Sequence, residues 1–418
     1  VIVCEQLPAP GIRLLATGGG HCNFTNTLAT EDFVRRFGAK SRFVAPAIKA
    51  LNGTRLRLFF EELGVPSHSP DGFHVLPVSD SARSIRDALR QACRNRGVEF
   101  RFNSRVDSLQ TGHGHVAGIL TSRGIESAAC VVLAAGGASY KSLGGGESGF
   151  RLARVAGHTI VPLCPALVSL VARETWPANL AGVTLPHVAV TLVFQSKAPR
   201  GEPQGNLLRR SSPAGYEGRE PQGFLAKKGD ARATATGSLL FTHKGISGPA
   251  VLDISGRVSA ALMAHSSVSV MMDLDPDRTN EAWQGHIERS RKEHGTRTVL
   301  SMLASVLPAA LAKVVLERVD VSAAASVARL SRGQSRKLIL LIKHLPLTIV
   351  GTEGFGKAMV TKGGINLAEV CPRTLGSKRV RGLFFAGEIM DVDGPCGGFN
   401  LQWAFSSGFL AAQNLSNQ

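Results

Sequence analysis

The alternation of apolar and polar positions divides the chain into stretches of different period. Val1–Glu5 (VIVCE) is a short β-branched run closed by an acid, which predicts a buried strand. In Asp80–Asn95 (DSARSIRDALRQACRN), apolar residues recur at Ala82, Ile85, Leu89 and Ala92. That spacing puts them on one face of a helix, with Ser79 or Asp80 as its N-cap. Val98–Phe102, Val106–Gln110, Val116–Thr121 and Ala128–Ala135 return to strand-like runs, and the last feeds into Gly136-Gly137. Gly149–Gly157 predicts a short helix that stops at glycine.

From Val168 to Asp275 the texture changes to short strands with turn residues, including Val188–Phe194, Ser238–Thr242 and Val268–Asp273. Inside it, Gln195–Thr236 is poor in apolar residues and rich in Gly, Pro, Arg and Ser, the composition of a disordered surface insertion. Glu281–His344 is patterned as helix, with connections near Gly295 and Pro308. Glycines resume at Gly351–Gly364, and Arg381–Ala386 (RGLFFA) reads as a last buried strand. The order βαβ, then β, then α, then β again predicts an α/β nucleotide-binding domain split in sequence. The expected segments are 1–165 and 351–418 for that domain, 166–275 for an inserted β-rich domain and 276–350 for a helical subdomain.

Composition changes this picture little. Apolar residues at 44% and charged residues at 19% are ordinary for a globular chain. The apolar run Leu338–Ile342 is broken by Lys343, His344 and Pro346, short of the ~20 residues a membrane span needs. Nothing at the start has the basic-then-apolar pattern of a signal peptide. The seven cysteines contain no CxxC pair, which argues against a zinc site or disulfide framework and for the cytoplasm. The formal charge of +17 would suit a polyanionic partner, but the basic residues are scattered, many as single arginines.

The densest chemistry lies in Ala386–Gly408 (AGEIMDVDGPCGGFNLQWAFSSG). A strand runs into Gly387-Glu388, then the acids Asp391 and Asp393, then Gly394, Gly397 and Gly398, and Asn400–Leu410 should begin a helix. Such a helix start presents free backbone N–H groups and a partial positive charge, and glycine lets the backbone approach a ring or pyrophosphate. A carboxylate just after the strand can accept hydrogen bonds from ribityl or ribose hydroxyls.

This segment resembles the C-terminal FAD motif of the BaiN/YhiN-like flavoproteins, a branch of the two-dinucleotide-binding-domain superfamily. Collinear blocks agree: Leu14–Asn26 (LLATGGGHCNFTN), Val132–Ser139 (VLAAGGAS), His158–Leu170 (HTIVPLCPALVSL), Leu240–Val251 (LFTHKGISGPAV) and Ala358–Lys378 (AMVTKGGINLAEVCPRTLGSK). The resemblance implies a Rossmann-like FAD-binding domain split in sequence, an inserted β-barrel-like domain and a helical subdomain. It implies that Glu5 binds the adenosine ribose, that Gly18, Gly19, Gly20 and Asn23 lie beside the flavin and pyrophosphate, and that Val106 makes a backbone contact to adenine. Ala135, Gly136 and Gly137 would pack over the cofactor. Gly387, Glu388 and Asp391 would face the ribityl and phosphate, with Gly397, Gly398, Asn400 and Leu401 near the isoalloxazine. No residue is assigned to catalysis and none to a metal.

Family members also carry a strand and GxGxxG turn about 30 residues before the position of Glu5. The sequence begins inside the second strand, so a fragment or displaced start is expected. The literal match Gly144-x-Gly146-x-x-Gly149 has no strand feeding it and reads as an ordinary glycine-rich loop. His243 and Lys244 could face a substrate or simply form a turn, and Cys396 and Cys22 read as packing thiols rather than redox centres. The implied reaction is flavin-mediated hydride transfer to a small organic acceptor, with NAD(P)H as a transient donor. Two other readings stay open: a flavin-free binding protein, and a basic protein associated with nucleic acid.

Overall fold

The computed structural model describes residues 1–193 and 233–415, and the chain divides into two compact units. The first comprises Val1–Ser169, Val251–Ala260 and Thr352–Gln418; the second comprises Leu170–Ala250 and Ala261–Gly351.

The first unit begins with β1 (Ile2–Cys4) and a small sheet of β2 (Thr25–Asn26), β3 (Ser67–His68) and β4 (His74–Pro77). Helices α1 (Thr30–Arg35), α2 (Ser41–Ala50) and α3 (Gly53–Glu62) lie between β2 and β3 in the chain. Next comes α4 (Ala82–Asn95), capped by Ser81, whose side chain accepts the Arg83 N–H. The expected cap at Ser79 or Asp80 is therefore corrected by one or two residues. Asp80 has φ of +51°, in the left-handed region, which bends the chain just before the helix. β5 (Glu99–Arg101) then pairs in parallel with β1, the arrangement a helical crossover permits. With that one neighbour, β1 keeps Ile2 43% exposed, so the buried strand expected at Val1–Glu5 is a half-open one. The antiparallel meander β6 (Val106–Gly112), β7 (His115–Thr121) and β8 (Gly124–Ser127) follows, then β9 (Val131–Leu133), α5 (Ser148–Val155) and β10 (Ile160–Ala166).

The second unit is built on a closed six-stranded barrel. Its strands are β11 (Leu170–Ala172), β12 (Thr184–Val193), β13 (Ala233–Thr242), β14 (Gly245–Ser247), β15 (Val268–Asp273) and β16 (Leu345–Thr352). Period-two burial explains it: Val188, Val190 and Leu192, Leu239 and Phe241, Val270 and Met272, Leu345, Leu347 and Ile349 are all 0–1% exposed. Most of the 195–236 stretch read as an insertion lies outside the described residues. Its end is corrected: Ala233–Thr236 pair with Ala189–Leu192 as ordinary barrel strand. Helix α6 (Pro249–Leu262) interrupts the strands, with residues Val251–Ala260 grouped in the first unit. The helices α7 (Asn280–Glu293), α8 (Val299–Leu303), α9 (Ala309–Arg318) and α10 (Arg332–Lys343) precede β16.

The chain then returns to the first unit through β17 (Val360–Ile365), antiparallel to β10, and β18 (Leu383–Phe385), parallel to β9. The last helix, α11 (Phe399–Leu415), is apolar on two sides and buried on both. Phe399, Trp403, Leu410 and Ala411 enter one core cluster, where Phe399 stacks 4.5 Å from Phe33. Leu401, Phe405 and Phe409, at i, i+4 and i+8, pack on a second cluster around Phe24 and Phe60. This double burial fixes the N-terminus of α11, and with it the glycine turn that precedes it. Among the described residues no helix is long and apolar enough to cross a membrane.

Candidate functional site

Strand β18 delivers the chain to Gly387, whose φ of +74° turns it under α11. The Gly387 N–H donates to Ser407 Oγ at 2.8 Å, and its carbonyl accepts the Trp403 indole N–H at 3.2 Å. Glu388 then reaches into the protein. Its Oε1 accepts the Thr361 N–H at 2.7 Å; its Oε2 accepts Arg13 Nη2 at 2.7 Å and the Gly137 N–H at 3.2 Å. Thr361 Oγ1 in turn accepts the Ala138 N–H at 2.8 Å. One carboxylate thus ties β17, the Gly136-Gly137 turn and the loop before the short helical turns of Leu14–Gly20 into a single knot. Glycine is obligatory in that turn. A Cβ on Gly137 would fall 2.4 Å from Thr361 Oγ1, and Gly136 has φ of +72° with Arg13 against it.

Downstream, Asp391 and Asp393 share one lysine. Lys40 Nζ lies 2.7 Å from Asp391 Oδ1 and 2.7 Å from Asp393 Oδ1, while Lys362 Nζ reaches Asp393 at 3.2 and 3.4 Å. The Gly363 N–H donates to the same Asp391 Oδ1 at 3.1 Å. Burial works to raise the Asp393 pKa, but Lys40 and then Lys362 outweigh it and hold the carboxyl below its usual range. Burial likewise works to lower the pKa of Lys40, and Asp393 and Asp391 outweigh it, so the ammonium is held above its usual value. The shifts agree in direction: the group is ionised through the neutral range.

The turn itself closes on Asn400. Its Oδ1 accepts the Gly394 N–H at 2.8 Å, and its Nδ2 donates to the carbonyls of Gly394 and Pro395 at 3.0 and 3.3 Å. Gly397 and Gly398 have φ of +105° and +83°. A Cβ on Gly398 would lie 2.5 Å from the Thr25 carbonyl oxygen, and Asn26 Nδ2 donates to the Gly397 carbonyl at 2.7 Å. The Leu14–Asn26 block is therefore brought against the 397–398 turn. Within that block Gly18, Gly19 and Gly20 have φ of +56°, +67° and +101°, and Asn23 Oδ1 accepts the Val75 N–H at 3.3 Å.

A family model described as the HI0933-like protein Rossmann domain matches residues 1–414. The chain belongs to the HI0933-like Rossmann family. That family is one of flavin-dependent oxidoreductases, and the fold is of Rossmann type, with a barrel and helices inserted in sequence between the two halves of the nucleotide-binding unit. A 3-dehydro-bile acid delta(4,6)-reductase of Clostridium scindens is 31% identical over 418 residues, covering 99% of this chain and 92% of that protein. Ribosomal RNA dihydrouridine synthases of Haemophilus influenzae and Escherichia coli are each 28% identical, covering 98% and 99% of this chain and 90% and 92% of their own.

The residues fit the FAD that the HI0933-like family implies. Asp391 Oδ2 has no protein partner among the described residues, while its side chain remains 19% exposed, so one acceptor stays open to a hydroxyl. Gly18 and Gly19, both at positive φ, leave exposed backbone, and the 17-residue helix α11 begins directly after the Gly397-Gly398 turn. Leu401 is taken up by the second core cluster, and Ala135 is exposed at the end of β9.

Two further expected residues make contacts within their own segments or the core. Glu5 Oε1 accepts the N–H of Leu7 at 2.9 Å and the residue is half-buried. Val106 pairs with Thr121 in the β6–β7 ladder, its side chain packed on the main core. Gly144 and Gly149 serve packing: a Cβ on Gly144 would meet Leu7 Cδ1 at 2.6 Å, and one on Gly149 would meet Ala135 Cβ at 2.6 Å and Ile389 Cδ1 at 2.9 Å. Sequence reasoning passed over Arg13, Lys40, Thr361 and Lys362. Only tertiary pairing marks them, since Lys40 is 351 residues from Asp391.

The cysteines offer no thiolate beside the turn. Burial, then the neighbouring Asp253, push the Cys396 thiol up to about 12, and burial pushes Cys22 up to about 11. His243 and Lys244 are exposed in the β13–β14 turn. Among the described residues no group of three His, Cys, Asp or Glu could hold a metal ion.

Proposed function

We propose that the chain reduces a carbon–carbon double bond conjugated to a carbonyl, using FAD with NAD(P)H as electron donor. The observation that supports it most is the glycine turn at Gly397-Gly398, pinned by Thr25 and Asn26 at the start of α11, in a segment where Asp391 Oδ2 has no partner among the described residues. Bound FAD would supply the two-electron hydride chemistry. The chain would hold the ribityl hydroxyls at Asp391 and the ribose at Glu5. The N–H groups of Asn400 and Leu401 in the first turn of α11 would favour negative charge in front of them. Glu388 would keep the Gly136-Gly137 backbone in place for close approach. The work would be done in the cytoplasm.

The relatives named above suggest the acceptor class. A 3-oxo-4,6-diene steroid and the uracil ring each carry a double bond conjugated to a carbonyl, and reduction adds a hydride and a proton across it. A small soluble acceptor is the first reading. A uracil within RNA is the second, favoured by 48 basic against 31 acidic residues, because phosphate neutralisation adds affinity.

The test is reconstitution with FAD followed by anaerobic reduction. Flavin bands near about 370 and 450 nm should appear and then bleach with NADH or NADPH. A 3-oxo-4,6-diene steroid or a uridine-containing ribosomal RNA fragment should restore them. Absence of the bands after reconstitution refutes the flavin reading. Reoxidation by RNA alone, weakened by salt, selects the second acceptor.

A further inference from the structure

We propose that Lys40 is a positioning residue for the flavin loop, acting through Asp391. It rests on the reading of Asp391 as a hydroxyl acceptor for FAD.

Three observations converge. Asp391 and Asp393 are two residues apart on an irregular segment, so without a cation between them their charges repel. Lys362 neutralises Asp393 alone, at 3.2 and 3.4 Å, and the hydrogen bonds to Asp391 come from Lys40 and the Gly363 N–H. Both of those donors use Oδ1, which leaves Oδ2 without a partner among the described residues. Lys40 is thus the charged one of the two donors that orient the Asp391 carboxylate.

Its own position is fixed from the same side. Phe37, three residues earlier, packs against the loop so closely that a Cβ on Gly394 would lie 3.0 Å from its ring. The short helical turn Gly38–Lys40 then carries the ammonium back to Asp391 and Asp393. Phe37 and Lys40 therefore grip the loop at two points, one apolar and one ionic, on either side of Asp393. From the opposite side Gly256 of α6 leaves room for the Asp393 carboxylate, 3.6 Å from where its Cβ would be. Asp393 is as exposed as Asp391, at 19%, but is paired to two lysines through both of its oxygens. Asp391 is the member with an oxygen to spare.

The experiment is a double-mutant cycle read as FAD affinity of the full chain, by quenching of flavin fluorescence, with the visible circular dichroism of bound flavin as second readout. K40M should weaken FAD about tenfold and alter the flavin dichroism at saturation, and D391N should do the same. The double variant should be no weaker than D391N alone, because Lys40 acts through that carboxylate. Additive losses, or a K40M affinity within about twofold of wild type, overturn the proposal. If K40M does not fold, K40R and K40Q decide it. Arginine should keep affinity within about threefold of wild type and glutamine should not, and equal affinities overturn the proposal. A wild-type chain that binds no FAD refutes the flavin reading itself, whereas wild-type binding with additive losses refutes only the role of Lys40.

Discussion

Glu388 and Glu5 sit at comparable places, each just beyond a parallel strand, and each was expected to accept hydroxyls from one cofactor. The structure gives them opposite circumstances. Both oxygens of Glu388 are occupied by protein donors, one guanidinium and two backbone N–H groups. Glu5 has a single short-range acceptance, from a backbone N–H two residues away. A carboxylate surrounded by donors from three segments holds the protein together; one with an open oxygen remains available to a ligand. Residue type and position after a strand do not separate these cases.

The contrast can be broken experimentally. E388A strands the Thr361 and Gly137 N–H groups and the Arg13 charge, and should destabilise the FAD-free protein by about 2–4 kcal/mol in urea unfolding. A loss below about 0.5 kcal/mol would mean the knot is dispensable. G398A forces a side chain onto φ of +83° and against the Thr25 carbonyl. It should lower stability by about 2 kcal/mol by the same measurement and weaken FAD binding together with it.

D393N sharpens the comparison by pH. The Asp393 pKa is held below the usual value, so its contribution is complete above the ordinary carboxylate range and is lost as pH falls through the lowered value. Lys40 is held above its usual value, so its contribution is complete below the ordinary lysine range and fades only as pH rises through the raised one. The stability gap between wild type and D393N, about 1–2 kcal/mol at neutral pH, should therefore close on acidification below pH of about 4. A gap that persists there would show that the charges are not its source.

E5Q carries the smallest structural effect. The FAD-free stability should stay within about 0.5 kcal/mol of wild type, since one exposed-side oxygen is exchanged for an amide. FAD affinity should fall about tenfold. Equal loss of stability in E5Q and E388A would abolish the distinction between the two acids.

Much of the fold was legible in the chain. Short strand-like runs between turn residues announced the second half of β12, all of β15 and the end of β13. The 82-85-89-92 spacing announced α4. The missed or shifted elements have local signals that a tertiary neighbour overrides. Ala233–Thr236 has no large apolar side chain to mark an inward face and becomes strand where β12 offers it a ladder. Helix α6 follows a Gly-rich turn whose glycines absorb φ of +157° at Gly245 and +93° at Gly248. That block reads as turn alone unless the helix behind it is weighed.

The candidate site divides along the same line. Strand-to-glycine spacing marked Gly397-Gly398, and the family resemblance marked Gly136-Gly137; only glycine tolerates those dihedrals and approaches, and that constraint is local to the backbone. Spacing also placed the acids of Ala386–Gly408, as residue types. What each acid does was decided by the tertiary structure. Arg13, Lys40 and Lys362 meet Glu388, Asp391 and Asp393 across separations of 375, 351 and 31 residues, and an ion pair depends on distance in space.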